Sequence, residues 1–269
     1  MITPADVEQL VGGILASAKY RSLARETVVH VVETEAAHGP KNRKELERLA
    51  RFRLHRILAE YLGFPHFAKA RRSIEAAFAS GDDAQIRTAL LSILEIHRST
   101  EERIPVLGEF YASIFTATGQ PRSVIDLACA LNPLSYRWMG LPRECCYVAV
   151  DINREILDLV ETYFALEGVA AQCLWTDALC LGEREAVDVA FLFKMYHCLE
   201  MRRKGAGWQA VAAVRAKKCV ITLPAVALNG RQTDIAGLHA PEILARCAHE
   251  GWPVERLDLR SEIAYVVTK

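Results

Sequence analysis

From residue 5 to about 118, apolar residues recur at helical spacing and strand-like runs are scarce. Leu46, Leu49, Ala50, Leu54, Ile57, Leu58 and Tyr61 make one apolar stripe, which leaves Lys44, Arg48 and Arg51 on a different face of the same predicted helix. Gly39-Pro40 and Gly63-Phe-Pro65 separate this helix from its neighbours. Ser80-Gly-Asp-Asp83 opens a further helix expected over about 83–97, with Asp82 or Asp83 as its N-cap. After Gly119-Gln-Pro121 the period changes. Short β-rich runs follow at Val124–Leu127, Tyr147–Val150, Ala171–Leu174, Val187–Phe193 and Cys219–Leu223, separated by helical patterns at Asn153–Glu167 and Arg202–Ala216. This alternation predicts β-α-β units and a parallel sheet covered on both faces. The runs Val254–Leu259 and Ile263–Val267 lie too close for a crossover, so they predict an antiparallel hairpin at the sheet's edge.

The totals narrow the class. Half of the 269 residues are apolar, a quarter are charged and the net charge is zero, as in a soluble globular protein. No apolar run reaches the roughly 18 residues of a membrane span, and MITPADVEQL lacks a signal-peptide pattern, so a cytoplasmic protein is expected. The eight cysteines include no Cys-x-x-Cys pair, which excludes the usual zinc spacing and leaves no metal site expected. Charge changes the picture in one place: between Lys41 and Arg72 ten basic residues face three acids. A neutral chain with one concentrated basic segment suits local docking on a polyanion, although a solvated helix face has the same composition.

Ligands of open α/β sheets bind beyond the carboxyl ends of the strands. The predicted strands end at Asp126, Asp151, Asp177 and Lys194, and the first is followed by a small-residue turn containing Ala128, Ala130 and Asn132. An acid about 25 residues past that turn suits both hydroxyls of a ribose, and Asp177 in Trp175-Thr-Asp-Ala178 suits an exocyclic amine such as adenine N6. No G-x-G-x-x-G follows the first strand, so a dinucleotide diphosphate lacks its cradle. S-adenosylmethionine, which carries no phosphate, fits the same acids. At Ala130 a positive φ would cost of order 1 kcal/mol, whereas a negative φ would leave the methyl merely crowding a ligand.

These residues lie within a pattern that resembles the aminoglycoside-resistance methyltransferases acting on guanine N7 of 16S ribosomal RNA. Ser17-Ala-Lys-Tyr-Arg21 with Thr27-Val28 is similar to that family's opening, and Leu54-His55 through Tyr61 to a later element. His97-Arg-Ser-Thr-Glu-Glu-Arg103 matches H-x-S-T-x-E-R, and Asp126-Leu-Ala-Cys-Ala-Leu-Asn-Pro-Leu134 matches D-x-A-C-G-L-N-P-L with one change. Phe193-Lys194 with Leu199-Glu200, Leu223-Pro224, and Leu228-Asn-Gly-Arg231 resemble further elements. Three departures stand out: Ala130 for glycine, His197 for proline, and Ala225-Val226-Ala227 for a run with a basic centre.

The resemblance implies a class I (Rossmann-like) S-adenosylmethionine methyltransferase sheet with a helical N-terminal domain. Residues 1–105 would dock on RNA and 106–269 would bind S-adenosylmethionine. Arg103 would hold the cofactor carboxylate near Tyr61 and Thr100; Asp151 and Ile152 would meet the ribose, Asp177 and Ala178 the adenine. Asp126, Ala128, Ala130, Asn132 and Phe193 would complete the wall, and Lys194 would stand where the target base enters. RNA contacts would come from Lys19, Arg21, Lys44, Arg48, Arg51, Arg71, Arg72 and Arg231. The implied partner is 16S rRNA in the assembled small subunit, met by a monomer, and the implied target is guanine 1405. Guanine N7 carries an exposed lone pair, so alignment is required and no catalytic acid or base is expected; His97 and His197 then read as structural. The competing readings are a relative that grips the subunit without transferring methyl groups, and a methyltransferase with another target.

Overall fold

In a computed structural model of the chain, residues 2–59, 66–225 and 234–269 are described. The expected elements at Gly63-Phe-Pro65, Tyr61 and Leu228–Arg231 therefore lie outside the described residues, as does most of Ala225-Val226-Ala227. Helix α1 (Pro4–Leu15) starts at a reciprocal cap between Thr3 and Asp6, with proline in the first turn where no amide bond is lost. Helices α2 (Arg25–Ala37) and α3 (Arg43–Ala59) pack with it around Leu10, Val11, Ile14, Val28, Val32 and the Leu46, Ala50, Leu54 stripe. Ile57 and Leu58 pack against this core, as the sequence period requires.

The rest of the helical stretch joins a different core. Helix α4 (Phe67–Ser80) ends at Gly81, whose φ of +69° is the left-handed stop that glycine adopts without strain. Helix α5 (Asp83–Leu94) begins at Asp82, whose carboxylate accepts from the Ala84 and Gln85 amides, so Asp82 is the cap. Ile74, Ile86, Leu90 and Leu94 share one apolar cluster with Val124, Phe191 and Val220 of the sheet. Helix α6 (Arg98–Glu101), a 3-10 turn at Ile104–Val106 and helix α7 (Leu107–Thr118) lead into the first strand.

Among the described residues the strands are β1 (Ser123–Leu127), β2 (Cys146–Asp151), β3 (Ala171–Trp175), β4 (Val187–Phe193), β5 (Ala216–Pro224), β6 (Val254–Asp258) and β7 (Glu262–Thr268). Their order is β3-β2-β1-β4-β5-β7-β6. The first five are parallel; β7 runs antiparallel to β5, and β6 to β7. The hairpin thus closes one edge, as its short spacing demanded. Helices α8 (Tyr136–Met139), α9 (Arg154–Glu167) and α12 (Ile235–Glu250) lie in the connections, with Asn153 capping α9 as its side chain accepts from Glu155 N–H. The helix expected over 202–216 differs. Its counterpart is the shorter α11 (Ala206–Ala213), while α10 (Tyr196–Arg202) ends where the expected helix was to begin; between them Gly205 takes φ +83° and the Glu200 carboxylate accepts from the amides of Gly205 and Gly207. From Ala216 onward the chain is already strand. No helix among the described residues is long and apolar enough to cross a membrane.

A short strap joins the two cores. Ala24 N–H donates to the Ile152 carbonyl (2.7 Å), Arg154 N–H donates to the Ser22 carbonyl (2.8 Å), and Leu23 bridges Asn153 antiparallel. The N-terminal helices are thereby tied to the loop at the carboxyl end of β2.

Candidate active site

One cavity opens at the carboxyl ends of β1–β4, and twelve residues anticipated from sequence line it. They are Thr100, Arg103, Asp126, Ala128, Ala130, Asn132, Asp151, Ile152, Asp177, Ala178, Phe193 and Lys194. Tyr61 lies outside the described residues, and Ile57 and Leu58 of α3 complete this side of the wall.

At the end of β1, Asp126 is buried and accepts from the Asn132 amide (2.8 Å) and the Tyr147 hydroxyl (2.7 Å). Burial pushes its carboxyl up to about 6 against those donors. In the turn that follows, Ala128 and Ala130 have φ of +50° and +45°, so both alanines hold a backbone that favours glycine. The turn's own bonds enforce this: Cys129 N–H donates to Val150 O (2.9 Å), Ala130 N–H to Asp151 Oδ2 (2.9 Å), and Asn132 N–H to Cys129 O (2.9 Å). These amides are spent internally, so they offer no cradle to a diphosphate.

Asp151, ending β2, also accepts from Asn153 N–H (2.8 Å), and burial raises it to about 6. Its oxygens face the cavity between two backbone donors, where ligand hydroxyls can reach them. After β3, Asp177 meets partners that sequence reading missed. Arg202 donates to both its oxygens (3.2 and 2.6 Å), the Thr27 hydroxyl donates to Oδ2 (2.7 Å) and Leu179 N–H to Oδ1 (3.0 Å). Burial would raise this carboxyl, but the Arg202 guanidinium outweighs it and holds the group below the usual range. The Glu26 carboxylate caps the same loop by accepting from the Thr176 hydroxyl (2.5 Å) and Asp177 N–H (3.1 Å).

The cationic side departs further from expectation. Arg103 is 1% exposed and its guanidinium sits over the rings of Phe110 and Phe193, with centroids at 4.8 and 4.7 Å. It donates twice to Glu262 (2.5 and 3.0 Å) and once to Asn132 Oδ1 (3.0 Å), which also accepts from the Tyr111 hydroxyl (2.8 Å). Lys194, expected as a cation at an open entrance, is instead 2% exposed: its ammonium pairs with Glu102 (2.5 Å) and Glu262 (3.4 Å). The cause is local. Lys194 takes φ +52°, its N–H is fixed by Thr222 O and Oγ1, and two acids flank its head. Burial would raise Glu262, yet Arg103 and Lys194 together hold it ionised. Glu102 was visible within the H-x-S-T-x-E-R segment without a role; Glu262 offered only the weak signal of an acid heading an apolar strand. The Thr100 hydroxyl lies at 2.6 and 2.9 Å from the Leu94 and His97 carbonyls, so it closes the turn before α6.

Groups able to exchange protons near neutrality are few here. Burial lowers His97 to about 3 and His197 to about 4, leaving both neutral, and raises the Cys129 thiol well above its ordinary value. No metal-holding group of side chains occurs among the described residues. The arrangement is one for binding and orienting a hydroxyl- and amine-bearing ligand.

The basic residues divide. Lys44, Arg48, Arg21, Arg71 and Arg72 are exposed. Arg51 pairs with Glu47 (2.8 Å) and lies over Tyr20, Lys19 contacts His55 (3.2 Å), and Arg71 donates to Asp158 O (3.2 Å). Arg231 lies outside the described residues.

A family model described as "Ribosomal RNA methyltransferase (FmrO)" matches residues 16–266. The chain is 31% identical over 265 residues to a 16S rRNA (guanine(1405)-N(7))-methyltransferase of Micromonospora echinospora, covering 98% of this chain and 97% of that one. It is 32% identical over 260 residues to the protein of that description from Frankia casuarinae, covering 95% and 91%. Among solved structures, the 16S rRNA methyltransferase RmtF in complex with S-adenosyl-L-homocysteine superposes with a TM-score of 0.80 at 26% identity, covering 99% of each chain.

Two substitutions test the geometry. Ala130→Gly removes a left-handed strain worth about 1–2 kcal/mol, offset in part by a freer unfolded chain, so a net gain of about 1 kcal/mol is expected in denaturant titrations. Glu262→Gln leaves Arg103 and Lys194 buried without their shared acid, and a loss of about 3–5 kcal/mol is expected in the same titration.

Proposed function

From the premise that this chain belongs to the FmrO family of ribosomal RNA methyltransferases, we propose that it transfers a methyl group from S-adenosylmethionine to N7 of guanine 1405 in 16S rRNA. The substrate is the assembled small ribosomal subunit in the cytoplasm, met by a monomer, and the outcome is resistance to aminoglycosides that bind there. Helices α1–α3, with their own core, serve docking, and the sheet with α4–α7, Thr100 and Arg103 included, serves the methyl donor. The observation that carries this reading is the convergence of Arg103, Asp126, Asp151 and Asp177 on one cavity whose turn amides are already spent.

S-adenosylmethionine fits that chemistry: it supplies an activated methyl group and needs acceptors for a ribose and an amine, without a phosphate cradle. Asp151 accepts from the ribose hydroxyls. The Asp177 loop, fixed by Arg202, Thr27 and Glu26, bounds the adenine end with Ala178, and Arg103, held by Glu262, faces the carboxylate. Phe193 and the Ala128–Ala130 turn close the remaining wall. Guanine N7 is an unprotonated acceptor, so the protein's task is alignment, which supplies several kcal/mol of the barrier. Turning the base out of the RNA helix costs a few kcal/mol, offset by phosphate contacts from the basic face. The neutral state of His97 and His197 accords with a reaction that moves no proton before methyl transfer.

Incubating purified small subunits with the protein and S-adenosylmethionine, then mapping N7-methylguanine by borohydride–aniline cleavage and primer extension, is expected to give one signal, at guanine 1405. A signal at another base overturns the target, and none overturns the activity. Cofactor affinity has its own signature. Because burial places Asp151 near 6 and its ionised form is the better acceptor, calorimetric affinity is expected to be flat above neutrality and to fall as pH drops through about 6. The Asp151→Asn protein is expected to bind weakly with that pH step gone.

A further inference from the structure

Lys44, Arg48, Phe52 and Arg56 follow one another at four-residue intervals on α3, so their side chains form one ridge about 18 Å long. All four are exposed, and Phe52 is 59% exposed. Lone exposed apolar residues are ordinary, but the surroundings of this one are not. Other cations of the helix are neutralised, Arg51 by Glu47 and Arg53 by Glu35. On the ridge, Lys44, Arg48 and Arg56 have no hydrogen bond or ion pair among the described residues. Phe52 is also the one large apolar side chain of α1–α7 that stands open to this degree among the described residues. The fold explains none of this: the opposite face of α3 supplies Leu46, Ala50 and Leu54 to the core.

We propose that this ridge is an RNA-reading surface in which Phe52 stacks on an unpaired base of the substrate RNA while Lys44, Arg48 and Arg56 hold the phosphates on either side. Phosphate contacts alone would require only the cations; an aromatic face set between cations is the pairing by which unstacked bases are held. Position agrees. Ile57 and Leu58, one turn and a half beyond Phe52, line the cofactor-type cavity from the opposite face of α3, so one helix carries both the ridge and a wall of the site. The inference rests on the rRNA-methyltransferase reading above and names the contact by which that substrate is recognised.

The test is binding of the full chain to purified small subunits, and to protein-free 16S rRNA, across a salt series, with S-adenosylmethionine affinity measured in parallel. Phe52→Ala is expected to weaken binding to both RNA probes about tenfold to a hundredfold, with the salt slope and the cofactor affinity unchanged, and Phe52→Trp to restore it. Arg48→Ala and Arg56→Ala are each expected to lower the salt slope by about one. Equal binding by the Phe52→Ala protein overturns the ridge alone. A loss seen with subunits but not with protein-free rRNA assigns Phe52 to a ribosomal protein and overturns base stacking. No binding by the unaltered protein overturns the ridge together with the rRNA reading.

Discussion

Two buried cations and two acids, Arg103, Lys194, Glu262 and Glu102, hold the site to the fold. The cluster joins the segment after α6, the end of β4 and the start of β7, three stretches that are distant in sequence. Its members neutralise one another in a place where water reaches only the edge of Glu102. The two phenylalanine rings around Arg103 and the Asn132 amide complete its coordination and orient the remaining walls. A side chain fixed in this way meets a ligand without being ordered first, which lowers the entropic cost of binding.

Much of this was legible in the sequence, for reasons that can be named. Strand ends could be placed because buried parallel strands are continuous apolar runs with a polar residue where they leave the sheet. That put Asp126, Asp151 and Lys194 at one rim, which Asp177 joins from beyond the half-exposed edge strand β3. The hairpin followed from spacing. The helix over 202–216 was placed too early at its start and too late at its end, because Gly205 with positive φ separates α10 from α11 and β5 already begins at Ala216. Glu262 and Arg202 were missed for another reason. Their importance lies in partners 159 and 25 residues away, and no local period records such a pairing. Nor could the sequence tell that α4 and α5 pack with the sheet and α1–α3 among themselves, since both groups show the same helical stripe.

Among the described residues, the three non-glycine residues with positive φ, Ala128, Ala130 and Lys194, all border the same cavity. Backbone N–H groups pin these stretches: Ala130 donates to the Asp151 carboxylate, Lys194 to Thr222, and Cys129, between the two alanines, to the Val150 carbonyl. Strain concentrated at a ligand-facing rim is maintained by the rigid sheet beneath it. The alanine in place of glycine is thus a cost the fold absorbs, and the path of the backbone is retained.

The strap from Ser22 to Ala24 engages the β2 loop through main-chain atoms, which every residue type but proline supplies. Side chains on the outward helices can therefore vary without loosening that joint. The joint behaves as a fixed ruler: whatever relief the helices come to present, its reach to the cavity stays constant.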